Sequence, residues 1–354
     1  MNVGILTFHW AYNYGAALQA YALSQSVKKL GHTVQFIDYA PPALRLPWWQ
    51  GWGFRSGTEL LSRTCWRLRF DLFRYRCLPT TRRCCSKEEL QATADEFDAV
   101  IVGSDQVWNG NITEGFDPTY FFDFVENPKC RKISYAACFG NSTQPAETIS
   151  KAGALLNRFD FLSVRNEMSA KLVHDISGRK SEVVLDPTLL HDFGEHLSPP
   201  LNKTGYIAVY HLSGQHISIG EDILRIVKDK MRLPVILIGT KSNVKGIDRY
   251  IPSAGPVEWL RILQRASFVC TDSFHGTLFS IKFRKPFIVW SGFRPKRIRD
   301  FLTTCGLQDR LLTAPIESDV VRLINENIDY DAVEDRLSPK ISTSLDFLKK
   351  ALAS

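Results

Sequence analysis

The sequence lacks any apolar run near the ~20 residues that a membrane-spanning helix needs. It also lacks the basic lead of a secretory signal, because its opening, Met1-Asn-Val-Gly-Ile-Leu-Thr-Phe, is typical of a first strand. Its eight cysteines form no C-x-x-C pair and no cluster with histidine at zinc spacing. We therefore expect a cytoplasmic protein with free thiols and no metal site.

Length, composition and charge indicate a two-domain globular protein. The 354 residues suit two domains of ordinary size, and 44% apolar with 23% charged residues excludes a disordered chain. The net charge of +7 is concentrated between Arg45 and Arg83, where nine arginines stand against Glu59 and Asp71. In the rest of the chain, basic and acidic residues are equal in number.

Strand-like apolar runs alternate with amphipathic helix-like runs, a pattern that predicts parallel α/β sheets. In the first half a helix is predicted at 16–29, and strands are predicted at 3–8, 34–38, 99–102, 133–137, 161–164 and 183–185. In the second half strands are predicted at 206–210, 235–238, 268–270 and 287–290. Helices are predicted there at 222–230, 257–265, 275–283 and 343–351.

The pattern predicts two Rossmann-like domains facing each other across a cleft. The N-terminal domain comprises residues 1–200 with a basic, aromatic insertion at 41–90, and the C-terminal domain comprises 201–340. Residues 341–354 form a terminal helix that packs on either domain, and the proline-containing stretch 197–205 is the linker. Ligands bind such sheets beyond the carboxyl ends of the strands.

Several polar clusters follow predicted strands in the first half. In His9-Trp-Ala-Tyr-Asn-Tyr-Gly-Ala, Gly15 either lets a ligand approach the helix start or forms a turn with aromatic packing. Asp105 suits a sugar hydroxyl, and Trp108 suits either stacking on a sugar or core packing. Arg165 offers a planar fork to phosphate or carboxylate, or an ion pair with Glu167.

The second half contains the segment Thr271-Asp-Ser-Phe-His-Gly-Thr between a predicted strand and a predicted helix. A histidine in the first turn of a helix is either structural or, with a phosphate bound nearby to keep it protonated, a general acid. A basic group follows, which either holds an anion or forms a solvated face; it comprises Arg294, Lys296, Arg297 and Arg299.

Seven motifs in order resemble the polysaccharide pyruvyl transferase family. They are Gly4-Ile-Leu-Thr-Phe, Asn13-Tyr-Gly-Ala-Ala-Leu-Gln-Ala-Tyr-Ala-Leu, Gly103-Ser-Asp-Gln-Val-Trp-Asn, Ile133-Ser-Tyr-Ala-Ala, Ser163-Val-Arg-Asn-Glu, Leu185-Asp-Pro-Thr and Thr271-Asp-Ser-Phe-His-Gly-Thr. The resemblance runs from residue 4 to about 310 and covers 41–90 poorly.

The resemblance implies a fold like the two-domain GT-B glycosyltransferases. It also implies transfer of the enolpyruvyl group of phosphoenolpyruvate onto a sugar, forming a pyruvate ketal without a metal or redox cofactor. His275 matches the proton-donating histidine of the family, and Arg165 matches an arginine that holds the donor.

The resemblance also divides the binding residues between the two domains. We expect donor contacts from Ser273, Phe274, Gly276, Thr277, Arg297 and Gly239. We expect acceptor contacts from His9, Asn13, Tyr14, Gly15, Ser104, Asp105, Gln106 and Trp108.

The chain departs from the family at two positions. Ser273 stands where some members have an arginine two residues before the histidine, so Arg297 or the helix N–H groups near Gly276 are candidate substitutes. Cys138 stands where a serine is usual, a difference expected to affect packing more than catalysis.

The basic insertion has two interpretations. Acceptors in this family are commonly lipid-linked saccharides at the inner face of the bacterial membrane, so the arginines and aromatics of 48–83 suit an anionic membrane surface. Alternatively, the insertion is a helical flap whose aromatics pack on the N-terminal domain.

Two other functions are weighed against pyruvyl transfer. A nucleotide-sugar glycosyltransferase of the same architecture often holds the ribose with an acidic residue, and this sequence has none between Ser273 and Arg299. Nucleic-acid or partner binding through the basic segment is disfavoured because the charge is confined to one insertion without a recognised motif.

Overall fold

The computed structural model describes residues 1–41, 57–140, 143–197, 205–212, 217–239, 244–290 and 295–353. It divides into an N-terminal unit, formed by Met1–Gly53, Arg74–Asp192 and Lys340–Ser354, and a C-terminal unit, formed by Phe54–Phe73 and Phe193–Pro339. The predicted linker lies mostly outside the described residues, at 198–204.

The N-terminal unit contains a seven-stranded parallel sheet with strand order β3-β2-β1-β4-β5-β6-β7. Its strands are β1 Asn2–Leu6, β2 Thr33–Asp38, β3 Thr80–Arg83, β4 Ala99–Val102, β5 Arg131–Ala137, β6 Phe161–Val164 and β7 Glu182–Val183. Its helices are α1 Tyr14–Lys29, α3 Lys87–Ala94, α4 Ala146–Leu156 and α5 Glu167–Ser177. Helix α2, Gly57–Cys77, begins in the C-terminal unit and ends in the N-terminal unit.

The C-terminal unit contains a six-stranded parallel sheet with strand order β10-β9-β8-β11-β12-β13. Its strands are β8 Ile207–Tyr210, β9 Val235–Ile238, β10 Arg249–Ile251, β11 Phe268–Thr271, β12 Phe287–Trp290 and β13 Leu311–Leu312. Its helices are α6 Ile217–Met231, α7 Pro256–Arg265, α8 Phe274–Lys282, α9 Pro295–Cys305 and α10 Glu317–Asn325. Helix α11, Tyr330–Ala351, crosses into the N-terminal unit after Pro339.

The central strands are continuous apolar runs because helices cover both faces of a parallel sheet. All four residues of β4, β8, β11 and β12 are buried. The predictions for β4, β6, β9 and β12 are confirmed to the residue. The predicted fold class, two Rossmann-like α/β units, is therefore confirmed within the described residues.

Several element boundaries differ from prediction; β1, for example, ends at Leu6 rather than residue 8, and α6 begins at Ile217 rather than residue 222. Strand β7 ends at Val183, not Leu185, because the N–H of Leu185 is donated to Ser344 Oγ at 2.9 Å rather than to the ladder. Helix α11 begins at Tyr330, not residue 343, and continues through Pro339. Its last part packs on the N-terminal unit, where Phe347 contacts the rings of Tyr135 and Phe161.

Some aromatic residues of the basic insertion lie outside the described residues, and others are packed in helix α2. Residues 42–56 lie outside the described residues, so Trp48, Trp49, Trp52 and Phe54 are not placed. In α2 the side chains of Phe70 and Phe73 are buried, and Trp66 contacts Phe70 edge to face. Arg69 donates to the Ser253 carbonyl at 2.7 Å, so this part of α2 packs on the C-terminal unit.

The contact between α4 and α5 provides a test of the packing in the N-terminal unit. A Cβ at Gly153 would overlap the carbonyl oxygen of Ile176, which is backbone and cannot rotate away. Alanine normally stabilises a helix relative to glycine, but here we expect Gly153→Ala to lower the unfolding free energy by roughly 1–3 kcal/mol. Urea denaturation measures the change.

The matched control is Ala154→Gly, on the exposed side of the same helix. It should cost about 1 kcal/mol through helix propensity alone. A Gly153→Ala protein at least as stable as the parent would contradict the close approach of α4 to α5.

Candidate functional site

Both sheets reverse their strand order beside a central strand. The reversal lies between β1 and β4 in the N-terminal sheet and between β8 and β11 in the C-terminal sheet. The connections diverge at such a point and leave a crevice beyond the carboxyl ends of the strands. The predicted site residues around His9, Asp105 and His275 directly follow β1, β4 and β11.

The loop after β1 is held from within the N-terminal unit. Gln19 Nε2 donates to Thr7 Oγ1 at 3.0 Å, and Thr7 Oγ1 donates to the Ser104 carbonyl at 2.9 Å. The hydroxyl of Thr7 therefore ties the loop after β1 to the loop after β4, at the reversal of strand order.

His9, in the loop after β1, is buried and makes two polar contacts. Its Nδ1 lies 3.1 Å from the Thr7 carbonyl, and its Nε2 lies 3.7 Å from Asp38 Oδ1 at the end of β2. Hydrogen bonding with His9 lowers the pKa of Asp38, and Arg83 and Arg74 lower it further, although partial burial of Asp38 raises it. The predicted acceptor residue His9 thus belongs to a charged cluster of the N-terminal unit.

The other predicted acceptor residues of this loop form the start of α1. Asn13 is the N-cap, and its Oδ1 accepts from the Ala16 N–H at 3.1 Å. Tyr14 and Gly15 are buried in the first turn. Of these three residues, Asn13 is the partly exposed one.

The loop after β4 has a tightly constrained backbone. Gly103 has φ +113°, and a Cβ there would overlap the Tyr135 carbonyl oxygen, so glycine is required. Asp105 also adopts a positive φ and pairs with Ala137 in an isolated parallel bridge. Ser104 is buried, and its hydroxyl donates to the Ala136 carbonyl at 3.3 Å.

Gln106 is buried against a glycine turn. Asn109 Nδ2 donates to Gln106 Oε1 at 3.0 Å, and a Cβ at Gly140, which has φ +83°, would overlap both side chains. The amide of Gln106 therefore shapes the loop from the inside.

The structure places Trp108 in the core. This position agrees with core packing, one of the two roles predicted for Trp108, and not with contact to an acceptor sugar. Its indole N–H donates to the Tyr120 carbonyl at 2.9 Å, and its ring stacks on Phe121 at 5.4 Å. The side chain is 1% exposed, which leaves no ring face for a sugar.

Arg165 lies at the end of β6 in a buried network of the same unit. Its Nη1 is 2.9 Å from Asp186 Oδ2, and its Nη2 is 3.5 Å from Asp105 Oδ1. Burial would lower the pKa of Arg165, but Cys138, Asp105 and Asp186 raise it above its ordinary value. The guanidinium is thus held between two aspartates, in addition to any role toward a ligand.

Asp186, from the Leu185-Asp-Pro-Thr motif, and Cys138, which was expected to affect packing, complete this network. Asp186 Oδ1 accepts from the N–H and hydroxyl of Thr188 at 3.1 and 2.6 Å, which orients its other oxygen toward Arg165. The Cys138 sulfur accepts from the Gly140 N–H at 3.2 Å and from Asn166 Nδ2 at 3.5 Å.

In the C-terminal unit, β11 leads into the first turn of α8. Ser273 is the N-cap, and its Oγ accepts from the Gly276 N–H at 3.3 Å. The Thr277 hydroxyl donates to the Ser273 carbonyl at 2.9 Å. A Cβ at Gly276 would overlap Thr271 Oγ1, so glycine lets the helix start close to its own strand.

His275 is buried in this first turn, with its ring 5.2 Å from the Phe274 ring. The positive end of the α8 dipole lies at the same place and attracts anions. Asp272, just before the cap, accepts from the Leu212 N–H at 2.7 Å and ties the loop after β8 to the loop after β11.

Arg297 of α9 lies against the same turn. Its guanidinium carbon is 4.4 Å from the centre of the Phe274 ring, a cation–π distance. Lys296 and Arg299 are exposed, and Arg294 lies outside the described residues. Among the described residues of the predicted basic group, Arg297 therefore contacts the first turn of α8.

Gly239 follows β9, the neighbour of β8. It has φ +114°, and its N–H donates to the Ile251 carbonyl at 3.2 Å. A Cβ placed on Gly239 would lie 3.8 Å from the Tyr210 ring. Gly239 thus lies on the carboxyl edge of the C-terminal sheet, as its predicted position after a strand requires.

His211 is a buried residue of this edge that sequence reasoning missed. It directly follows β8, next to the reversal of strand order. The signal was present, since His211 directly follows the strand predicted at 206–210, and ligands bind such sheets beyond the carboxyl ends of the strands.

The fold defines a class of protein, the two-sheet α/β proteins of the GT-B type. The UDP-GlcNAc 2-epimerase of Neisseria meningitidis, solved with UDP-GlcNAc, is similar at TM-score 0.55 and 12% identity, over 99% of each chain. The S. aureus MnaA–UDP structure gives 0.54 and 12%, over 99% of this chain and 96% of the other. The UDP-GlcNAc 2-epimerase of Methanocaldococcus jannaschii gives 0.52 and 11%, over 93% of each chain. At such identities the likeness shows the fold alone.

The chain belongs to the polysaccharide pyruvyl transferase family, whose model matches residues 13–291. The family resemblance found in the motifs is thereby confirmed, and the protein is a transferase with a saccharide acceptor. A search of the curated proteins gave no match. Among the described residues, no helix is both long and apolar enough to cross a membrane.

The His9–Asp38 contact predicts a pH-dependent stability. Because the folded pKa of Asp38 is lowered, its carboxylate stabilises the fold above its unfolded pKa, and this contribution is lost as pH falls through the folded value. We expect Asp38→Asn to lower the unfolding free energy near neutral pH by roughly 1 kcal/mol or less, since the group is partly exposed.

Urea denaturation at a series of pH values measures this difference, which should shrink toward zero below about pH 4. Asp175→Asn, at an exposed position of α5, is the control and should change stability little at any pH. A difference that grows in acid would contradict the assigned contact.

Proposed function

We propose that this protein transfers the enolpyruvyl group of phosphoenolpyruvate onto a hexose of a saccharide and closes a pyruvate ketal on two of its hydroxyls. The single observation that carries the proposal is the position of His275. In a member of the pyruvyl transferase family, this histidine lies in the first turn of α8, at the reversal of strand order.

The first step of the proposed reaction is proton donation by His275. Its imidazolium gives a proton to the methylene carbon of the donor, which becomes a methyl group beside an oxocarbenium-like carbon. One sugar hydroxyl adds to that carbon and loses its proton. Phosphate then leaves with its bonding electron pair, and the second hydroxyl closes the ring with loss of its own proton.

The environment of His275 supports this role electrostatically. A phosphate beside the first turn of α8 would be favoured by the helix dipole and would itself favour the protonated imidazole. Arg297, stacked on Phe274, supplies a fixed positive charge next to that turn. We propose Arg297 as the substitute for the arginine that some family members have at the position of Ser273.

The other donor contacts proposed here come from the residues that build this turn. Ser273 caps the helix, Phe274 carries Arg297, and Gly276 and Thr277 bring the turn against β11. Gly239 completes the edge, and Arg165 is proposed to hold the donor on the strength of its family motif. No cofactor besides the donor is included in the proposal.

For the acceptor we propose the carboxyl edge of the N-terminal sheet. Its contributors are His9, Asn13, Tyr14, Gly15, Ser104, Asp105 and Gln106. Asp105 and Asn13 are the partly exposed members, so they are the residues best placed to meet a sugar hydroxyl. We further propose a lipid-linked acceptor, in capsule, exopolysaccharide or cell-wall polymer synthesis, at the cytoplasmic face of the membrane.

The alternative is nucleotide-sugar glycosyl transfer on the same fold. Its support is the structural likeness to proteins solved with UDP and UDP-GlcNAc. Donor choice separates the two functions. Acceptor-dependent release of phosphate from phosphoenolpyruvate, with a mass gain of one pyruvate less water, supports pyruvyl transfer, whereas release of a nucleoside diphosphate supports the alternative.

His275→Gln should reduce turnover by roughly a hundredfold or more, because the general acid is removed. Phosphate release with a panel of aryl or lipid-linked glycosides measures the rate. His191→Gln is the matched control, since His191 is also a buried histidine and lies outside the proposed machinery. Equal thermal stability of both variants and near-parental activity of His275→Gln would exclude His275 as the acid.

Arg297→Met should raise the KM for phosphoenolpyruvate roughly tenfold or more, since a charged hydrogen bond to the donor is lost while the methionine retains packing on Phe274. Arg299→Met, at an exposed position of the same helix, is the control. Equal KM values in both variants would remove Arg297 from the donor site.

A further inference from the structure

Helix α2 presents large apolar side chains to solvent along one face. Leu61, Leu68, Leu72 and Tyr75 are 65%, 61%, 45% and 88% exposed. Their spacing of seven, four and three residues places all four on one side of an α-helix. We call this the outer stripe of α2.

The outer stripe is not part of a protein core. The opposite side of α2 supplies the core contacts, through the buried rings of Phe70 and Phe73 and the half-buried ring of Trp66. A surface helix that already buries one apolar face normally carries polar residues on the other, so a contiguous apolar outer face indicates an interaction surface.

Positive charge borders the outer stripe. Arg69 and Arg76 lie three residues before and four residues after Leu72, on the same side of the helix, and both are exposed. Arg69 contacts the Glu258 carboxylate at 3.7 Å, and Asp71 is an acidic residue on the other border. In the surrounding segment 45–83 nine arginines stand against two acidic residues.

We propose that the outer stripe of α2 docks on an anionic phospholipid surface. Leucine and tyrosine side chains enter the boundary of headgroups and acyl chains, while arginines remain at the level of the phosphates. A lipid surface is favoured over a second copy of this chain, because pairing two such stripes would bring two strongly basic segments together. Docking of the outer stripe does not depend on the reaction proposed above, and vesicle binding reports on it without an activity measurement.

The test is sedimentation of the full-length protein with vesicles. With phosphatidylcholine containing about a third phosphatidylglycerol we expect binding that weakens as salt is raised, since charge attracts the protein to the surface. With pure phosphatidylcholine we expect at least a tenfold weaker partition. Absence of binding to the anionic vesicles, or equal binding to both, would overturn the proposal.

Two variants assign the binding to the outer stripe. Leu68→Gln combined with Leu72→Gln should reduce partition about tenfold or more, and Arg76→Gln about fivefold. Ile316→Gln, an apolar residue 53% exposed at the start of α10, is the control and should bind as the parent does. All substituted positions are exposed, so circular dichroism should show unchanged folding.

Sedimentation velocity without lipid tests whether a second copy of this chain, rather than lipid, covers the outer stripe. A monomer at micromolar concentration agrees with the proposal. A dimer that Leu68→Gln with Leu72→Gln dissociates, together with unchanged vesicle binding of that double variant, would identify the outer stripe as a self-association surface instead.

Discussion

The candidate site residues owe their positions to one constraint, the reversal of strand order within each parallel sheet. At that point two loops leave neighbouring strands in opposite directions, and side chains of one loop hydrogen-bond to the other. The hydroxyl of Thr7 joins them in the N-terminal sheet, and the carboxylate of Asp272 joins them in the C-terminal sheet. The residues proposed for the acceptor and the donor follow these joints.

Much of the fold was predictable from the sequence because the central strands are buried on both faces. Strands such as Ala99–Val102 and Phe287–Trp290 are uninterrupted apolar runs between polar ends, and their limits agree with prediction to the residue. The edge strands Thr80–Arg83 and Arg249–Ile251 were not predicted. Their residues are largely polar or partly exposed, so neither a continuous nor an alternating apolar pattern marks them.

The positions of the candidate site residues relative to the strands were predictable, and their contacts less so. His275 and Arg165 follow strands, and that rule alone places them on the carboxyl edges. The partners of Arg165 were not predictable, since Asp186 and Asp105 lie 21 and 60 positions away in the chain. Trp108 shows the same limit, because its burial depends on Phe121 and the Tyr120 carbonyl, which a later turn brings to it.

The membership of residues 340–353 in the N-terminal unit has a consequence for how the protein is made. The segment Lys340–Ser354 completes the N-terminal unit, where Ser344 accepts the N–H of Leu185 and the Ala351 carbonyl accepts from Arg131 at 3.3 Å. During synthesis the first unit is therefore incomplete until residues 340–353 have been made, after most of the second unit. A fragment ending at Asp192 would leave Tyr135 and Phe161 without the ring of Phe347, so the two units cannot be separated by a single cut.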